Sequence, residues 1–570
     1  MKGTLILLCA MSSAVSAQKT THQPRFDQQG ADVIFTHANI YTGAGGSSPE
    51  SGRRPQAIAV RADRIVAVGT SDEIAKLKGP ETRMVDLGGH FVMPGFNDAH
   101  MHLASAGLEK LTVNLVGARS LEEFRERLRA KVGEAGPAEW VAGEGWDETL
   151  WPSRVLPTRR DLDEVSGDHP VYLTRVDGHI GVADTRALQL AGVTAATRDP
   201  EGGKIDRDES GAPTGILREK AERLVLSVIP KPAPEKRRRA IELALADLAS
   251  HGVTSAQDYS TWEDFQIYSE LEAEGKLTAR ISEWLPFDLS LETLQRMRDS
   301  HPASDNMLRT GMLKGFMDGS LGSETAALFA PYSDDPGNTG IPQYAQDKLN
   351  AMTRDRLLAG FQIGFHAIGD KGVQMALDAF AGAEKTAKEA SVKAPDGGND
   401  YRLRIEHAQV TTPQQIAEFQ ELKVIASMQP SHLLTDMNWA ESRLGPKRAE
   451  YSYAWAEFLR HGVTLAFGTD YPVEPVTPFR GIYSAITRSS VDEKKTYPGQ
   501  HLTIEQAIAA YTTGAAFAEF AEKQKGKLEP GMLADFVVLD RDITAVPPPQ
   551  ILETKILRTV VGGKTVYQAR

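Results

Sequence analysis

Cysteine is almost absent: the chain of 570 residues has one, Cys9. It lies in a stretch with the marks of an export signal, with Lys2 ahead of the apolar run Leu5–Ala10 and small residues Val15-Ser16-Ala17 before Gln18. Cleavage after Ala17 would take the charge balance from 64 − 76 to 63 − 76, or −13, and leave a mature chain without a thiol. Such a chain forms no disulfides even in an oxidising compartment. Any metal in it sits on nitrogen and oxygen, which excludes Cys₄ zinc and iron–sulfur clusters. Long apolar runs are missing too: the leader is too short to span a bilayer, and no later stretch qualifies. The expectation is a periplasmic or secreted protein, free of the membrane after cleavage. Basic charge is the third shortage. With 64 Lys and Arg against 76 Asp and Glu, nucleic acid and anionic membranes are disfavoured as partners. A small-molecule substrate is expected, with room for a homodimer.

What is present is ordinary globular material, 41% hydrophobic and 25% charged, enough for several domains or one large barrel with additions. Residues 18–30 read as a flexible lead. From 31 to 90 the pattern is short strands with Gly-rich breaks, and a matching piece, Ala534–Asp540 and then ILRTVVGGKTVYQ, lies within 527–570. Joined, these two pieces predict one small β-sandwich. Between them, strand-like runs alternate with helical ones. The strand candidates are Phe91–Leu103, Val253–Tyr259, Arg280–Phe287, Met312–Gly319, Phe361–Asp370, Arg402–Val410, Val424–Pro430 and Thr464–Pro472. Eight such units predict an α/β fold, a TIM (β/α)₈ barrel over 91–110 and 231–526. The interval 111–230 does not fit one βα unit. It reads as an insertion subdomain after the first strand, closed by Ile229-Pro-Lys-Pro-Ala-Pro234.

In such a barrel the functional groups occupy the C-terminal ends of the strands. The first strand ends in His100 and His102, two apart and therefore on one face. The fourth carries Lys314, with Asp318 beyond it; the fifth ends in His366, the sixth in His407 and the eighth in Asp470. Histidine and carboxylate suit a divalent cation such as Zn²⁺, one ion or two. An ammonium is repelled by a cation, so Lys314 makes sense as a carbamate, an anionic oxygen ligand. A water bound there loses a proton near neutral pH, and Asp470 serves as the general base that later protonates the leaving amine.

The motifs PGFNDAHMHL, LKGFMDGSLGS, HAIGD, RIEHAQV, FGTDYPV and LADFVVLD together resemble the metal-dependent amidohydrolase superfamily. The likeness is greatest to its large-insertion branch, which includes N-substituted formamide deformylase-like proteins. The resemblance runs from about Ala31 to the C-terminus and implies a barrel, a composite sandwich and a mono- or binuclear metal centre. It assigns His100, His102, Lys314, His366, His407 and Asp470 as ligands, with Asp470 also carrying the proton. One departure is Asp184-Thr185, where the branch reads Asn-Ser.

Substrate contacts are read more weakly from position. Trp146, Asp147 and Trp151 in the insertion, with Asp177 and His179, would overhang the mouth as a lid. Ser320, Ser323 and Arg443 are further candidates, whereas His432 is taken as a solvated loop residue within reach of the site. The resulting expectation is an exported hydrolase of C–N bonds in an amide, formamide or cyclic imide. The same site would serve an esterase, lactonase or phosphotriesterase, and a non-catalytic binding homologue is the remaining alternative.

Overall fold

The computed structural model describes residues 30–43, 54–175, 180–200 and 203–570. The export signal, the flexible lead, Asp177 and His179 lie outside them.

Eight parallel strands form the central sheet: β1 (Phe96–Met101), β2 (Val253–Asp258), β3 (Arg280–Pro286), β4 (Leu308–Phe316), β5 (Ile363–Ala367), β6 (Arg404–His407), β7 (Ile425–Met428) and β8 (Leu465–Phe467). They are hydrogen-bonded in chain order. Just past the end of β8 the ring closes on β1: Asp470 N donates to His100 O at 2.7 Å and His102 N to Tyr471 O at 2.8 Å. Nearly every residue of β1, β2, β6 and β7 is buried, as expected of parallel strands covered by helices on their outer face. The helices follow their sequence signals. Trp262–Ala273, Pro413–Leu422 and Ile504–Ala509 each open on a Thr whose side chain and N3 partner cap each other, which satisfies otherwise orphaned N–H groups.

The apolar run Phe91–Leu103, expected as one strand, is divided at Gly95. Its first part, Phe91–Pro94, pairs antiparallel with Phe536–Leu539 and belongs to a five-stranded sheet. A Cβ on Gly95 would lie 2.2 Å from the Thr254 side chain, so the chain turns here from sandwich into barrel only because no side chain is present. A four-stranded sheet built from 31–86 faces the first. Val33, Phe35, Ile58 and Val92 from the N-terminal piece and Phe536, Val538 and Val560 from the C-terminal piece share one core. The sandwich is composite, as expected.

Between β1 and β2 the insertion forms its own six-stranded sheet, from Val113–Asn114 through Pro213–Glu219. It packs around Trp146, Trp151, Leu162 and Leu173.

Candidate metal centre

The strand ends bring the predicted groups together. His100 Nε2 lies 3.6 Å and His102 Nε2 3.2 Å from Asp470 Oδ1. Lys314 Nζ is 3.1 Å from His100 Nε2. The rings of His100 and His407 are centred 5.0 Å apart, and those of His366 and His407 4.4 Å apart. Ligand atoms of His100, His407 and Asp470 all lie within 4.8 Å of one another. Six groups separated by up to 370 residues in sequence thus meet at one mouth, because each ends or follows a strand of the same ring.

Which atoms face the centre is decided by the bonds behind them. His100 Nδ1 is 2.8 Å from Glu406 Oε2, His102 Nδ1 is 3.0 Å from Tyr259 O, and His366 Nε2 is 3.1 Å from Gly319 O. The other nitrogen of His100 then faces Lys314 and Asp470, and that of His102 faces Asp470. Such outer partners fix tautomer and orientation. Glu406 is itself held by Arg404, whose Nε donates to Glu406 Oε1 at 2.6 Å and whose Nη2 donates to Ala99 O and Ser427 Oγ. Asp98, two residues before His100, accepts from Thr469 N and Oγ1 and so ties β1 to the Asp470 loop.

Electrostatics favour a cation. Burial, then the Lys314 charge, lowers the His100 pKa well below the usual value; burial and the neighbouring imidazoles do the same for His407, and burial and Lys314 bring His366 to about 4. His366 is therefore neutral at pH 7, and for His100 and His407 burial favours the same neutral form, the one in which imidazole coordinates metal. Burial works against ionisation of Asp470, but His100 and His102 outweigh it and hold the carboxyl below the ordinary range. Burial lowers Lys314 to about 8. Asp470 Oδ1 and His407 Nδ1 are buried without a hydrogen-bond partner among the described residues. Buried polar atoms left unpaired are costly, and a divalent ion seated among these nitrogen and oxygen donors fits the arrangement. His407 and Asp470 also have left-handed backbones, φ 72° and 60°. Non-glycine residues carry that strain only where the surrounding structure imposes it, often at functional sites.

The profile of the amidohydrolase family matches residues 83–567. The chain belongs to the amidohydrolase family. Protein LONG AFTER FAR-RED 3 of Arabidopsis thaliana is 34% identical over 558 residues, covering 94% of this chain and 92% of that protein. The N-substituted formamide deformylase of Arthrobacter pascens is 27% identical over 559 residues, covering 94% and 98%. Among solved structures, an uncharacterized metal-dependent hydrolase from Pyrococcus horikoshii superposes with TM-score 0.73 at 30% identity, covering 90% of this chain and 99% of that one.

The weaker substrate candidates among the described residues have protein partners of their own. Trp146 is fully buried in the insertion's core, its Nε1 donating to Leu173 O at 3.2 Å, and Trp151 donates to Ala118 O. Asp147 caps a short turn through Thr149 N and pairs with Arg175 at 3.3 Å. Asp184 caps the helix Thr185–Leu190 through Ala187 N, so the departure from Asn-Ser keeps a capping residue. Ser320 bonds Ser323 at 2.7 Å within its own loop, and Arg443 is engaged by Glu324 and by Asp334, the latter at 2.7 Å. Asp318 accepts from the backbone of Ala327, Ile368 and Gly369 and anchors that loop to the end of β5.

His432 is the reverse case. Taken from the sequence as solvated, it faces the centre: its ring stacks on His407 at 5.8 Å and 15°, and its Nε2 is 3.5 Å from Asp470 Oδ2. The signal was its place four residues beyond β7, at the same end of the ring as the predicted ligands.

Proposed function

We propose that the protein is an exported metal-dependent hydrolase that cleaves a C–N bond in an amide, formamide or cyclic imide. The observation that carries this reading is the buried Asp470 carboxyl, held below its ordinary pKa range, with Oδ1 3.6 and 3.2 Å from the Nε2 atoms of His100 and His102. His100, His102, His366, His407 and Asp470, with Lys314 as its carbamate, would hold one or two divalent ions, zinc being the best match to nitrogen and oxygen donors. A bound ion supplies two things, a lowered pKa for water and polarisation of the amide carbonyl.

The chain's own groups do the rest. Asp470 takes the proton of the attacking water and returns it to the leaving nitrogen, which departs as the neutral amine. His432 backs Asp470 on the side away from His102. Lys314, near pKa 8, has a fraction of free amine at neutral pH. That amine adds CO₂, forming an N–C bond and releasing a proton, and so places an anion where an ammonium would repel the ion. Lys314→Ala should lose activity that short carboxylic acids partly restore; a variant that no acid rescues would argue against the carbamate.

The reading is tested by rates on matched panels of N-formyl, N-acyl and cyclic-imide substrates beside the corresponding esters, lactones and phosphotriesters. C–N substrates should be hydrolysed with the higher kcat/KM. Consistent preference for the oxygen-linked series would replace it. Export is tested by N-terminal sequencing of the protein recovered from its host, which should begin at Gln18.

A further inference from the structure

A cavity of about 570 Å³ opens beside the ligand cluster at the C-terminal ends of β1, β2 and β3. One wall is His102, whose Nε2 is 3.2 Å from Asp470 Oδ1, so the cavity begins one side chain from the proton-carrying group. Its remaining wall is largely apolar, with Leu108, Tyr259, Trp262, Trp284 and Leu289. Trp284 is fixed in place, its ring edge-on to His100 at 5.0 Å. The volume lies within the usual range for small-molecule sites, which are apolar with a few placed polar groups.

The charges around it are unbalanced. Glu263 and Asp264 contribute carboxylates and Arg237 is the cation that faces them, while Glu283 adds a carboxyl whose pKa burial and the neighbouring Asp258 push up. Arg237 is engaged by Asp264 at 3.1 Å and by Thr261 at 2.8 Å. A substrate carboxylate entering here would meet like charge and find the guanidinium already paired, an arrangement that selects against it.

We infer that this cavity receives a bulky, uncharged apolar substituent on one side of the scissile bond. The substrates are then hydrophobic amides, not carboxylate-bearing N-acyl amino acids. The inference rests on the hydrolase reading above and assigns the pocket to β1–β3, away from the insertion residues expected from sequence.

Ser105, exposed on the helix Leu103–Lys110, and Leu289, half-buried in the loop after β3, both line the cavity. Tryptophan at either position would fill it. The test measures kcat/KM for N-methyl-, N-butyl- and N-cyclohexylacetamide and for N-acetylglycine, with hexanamide and cyclohexanecarboxamide reporting on the acyl side. The native enzyme should favour the cyclohexyl or butyl member of one series over its small counterpart by at least about tenfold, within the range that pocket fit supplies, with N-acetylglycine the poorest substrate. In Ser105→Trp and Leu289→Trp that selectivity ratio should fall at least about tenfold. Unchanged selectivity in both folded variants, or preference for N-acetylglycine, overturns the inference. Binding separates it from the hydrolase reading: calorimetry of metal-loaded Asp470→Asn should register N-cyclohexylacetamide, and adding Ser105→Trp should weaken that binding about tenfold. Such binding without turnover of any amide by the native enzyme would uphold the cavity and sink the hydrolase reading; absence of binding sinks the cavity.

Discussion

Glu406 touches none of the proposed chemistry, yet it orients the His100 ring, which lies against His102, His407, Lys314 and Asp470. It accepts from His100 Nδ1 and is paired with Arg404, and all three side chains are buried. Glu406→Gln should therefore weaken metal affinity by about 10–100-fold, the usual effect of removing an outer partner of a ligand, as read by competition with a chromophoric chelator. It should also lower Tm, because Arg404 keeps a buried charge with less to balance it. Asp470→Asn should behave differently: fold and most of the metal retained, with kcat down by at least about 10²–10⁴-fold. The candidate ligands could be picked out because each ends or follows an apolar strand. Glu406 was not. Arg404 and Glu406 stand two apart in one strand and satisfy each other, a pairing that sequence shows as two charges in an apolar run without saying what they face. His432 escaped for a related reason, since its helix turns back toward the mouth only once the backbone is placed.

Among the elements, closure of the ring depends on how near β8 comes to β1. A Cβ on Gly468 would meet His100 N at 2.5 Å and Asp98 Oδ1 at 2.8 Å. Gly468→Ala must push the two strand ends apart, at a cost of about 1–3 kcal/mol, and should move His100 away from Asp470. Thermal unfolding and metal titration on the same sample check both effects; normal stability with normal affinity would show that the approach is not needed. Strand and helix order was readable from the alternation of apolar runs and caps. Two boundaries were not. The break at Gly95 hides inside one continuous apolar run, because neighbouring strands of sandwich and barrel are equally buried. The stretch Ile504–Ala518, opened by the capping residues Thr503 and Gln506, is interrupted by a π-turn at Ala510–Gly514, where Gly514 packs its bare backbone against Leu465 O. Periodicity alone does not register that contact.

At the scale of the whole molecule, the two chain ends hold the barrel from below. Phe536–Leu539 lies between Phe91–Pro94 and Ile556–Val561, and Asp535 receives two hydrogen bonds from Arg280 at the start of β3, at 2.6 and 2.9 Å. Both partners are buried. Asp535→Ala should cost about 3–5 kcal/mol, since it strands a buried guanidinium, and chemical denaturation would show it as a lower midpoint at unchanged slope. The insertion, read over 111–230 from its misfit to a βα unit, builds its own core, in which Trp146 and Trp151 are buried. The measurement that bears most directly on the account is elemental analysis of the purified protein before and after chelation, with hydrolysis of an apolar amide followed through stripping and reloading. One or two equivalents of divalent metal per chain should be present, activity should vanish with the metal and return in proportion to it. A folded protein that carries and binds no such ion, or whose hydrolysis is indifferent to its removal, would contradict the account.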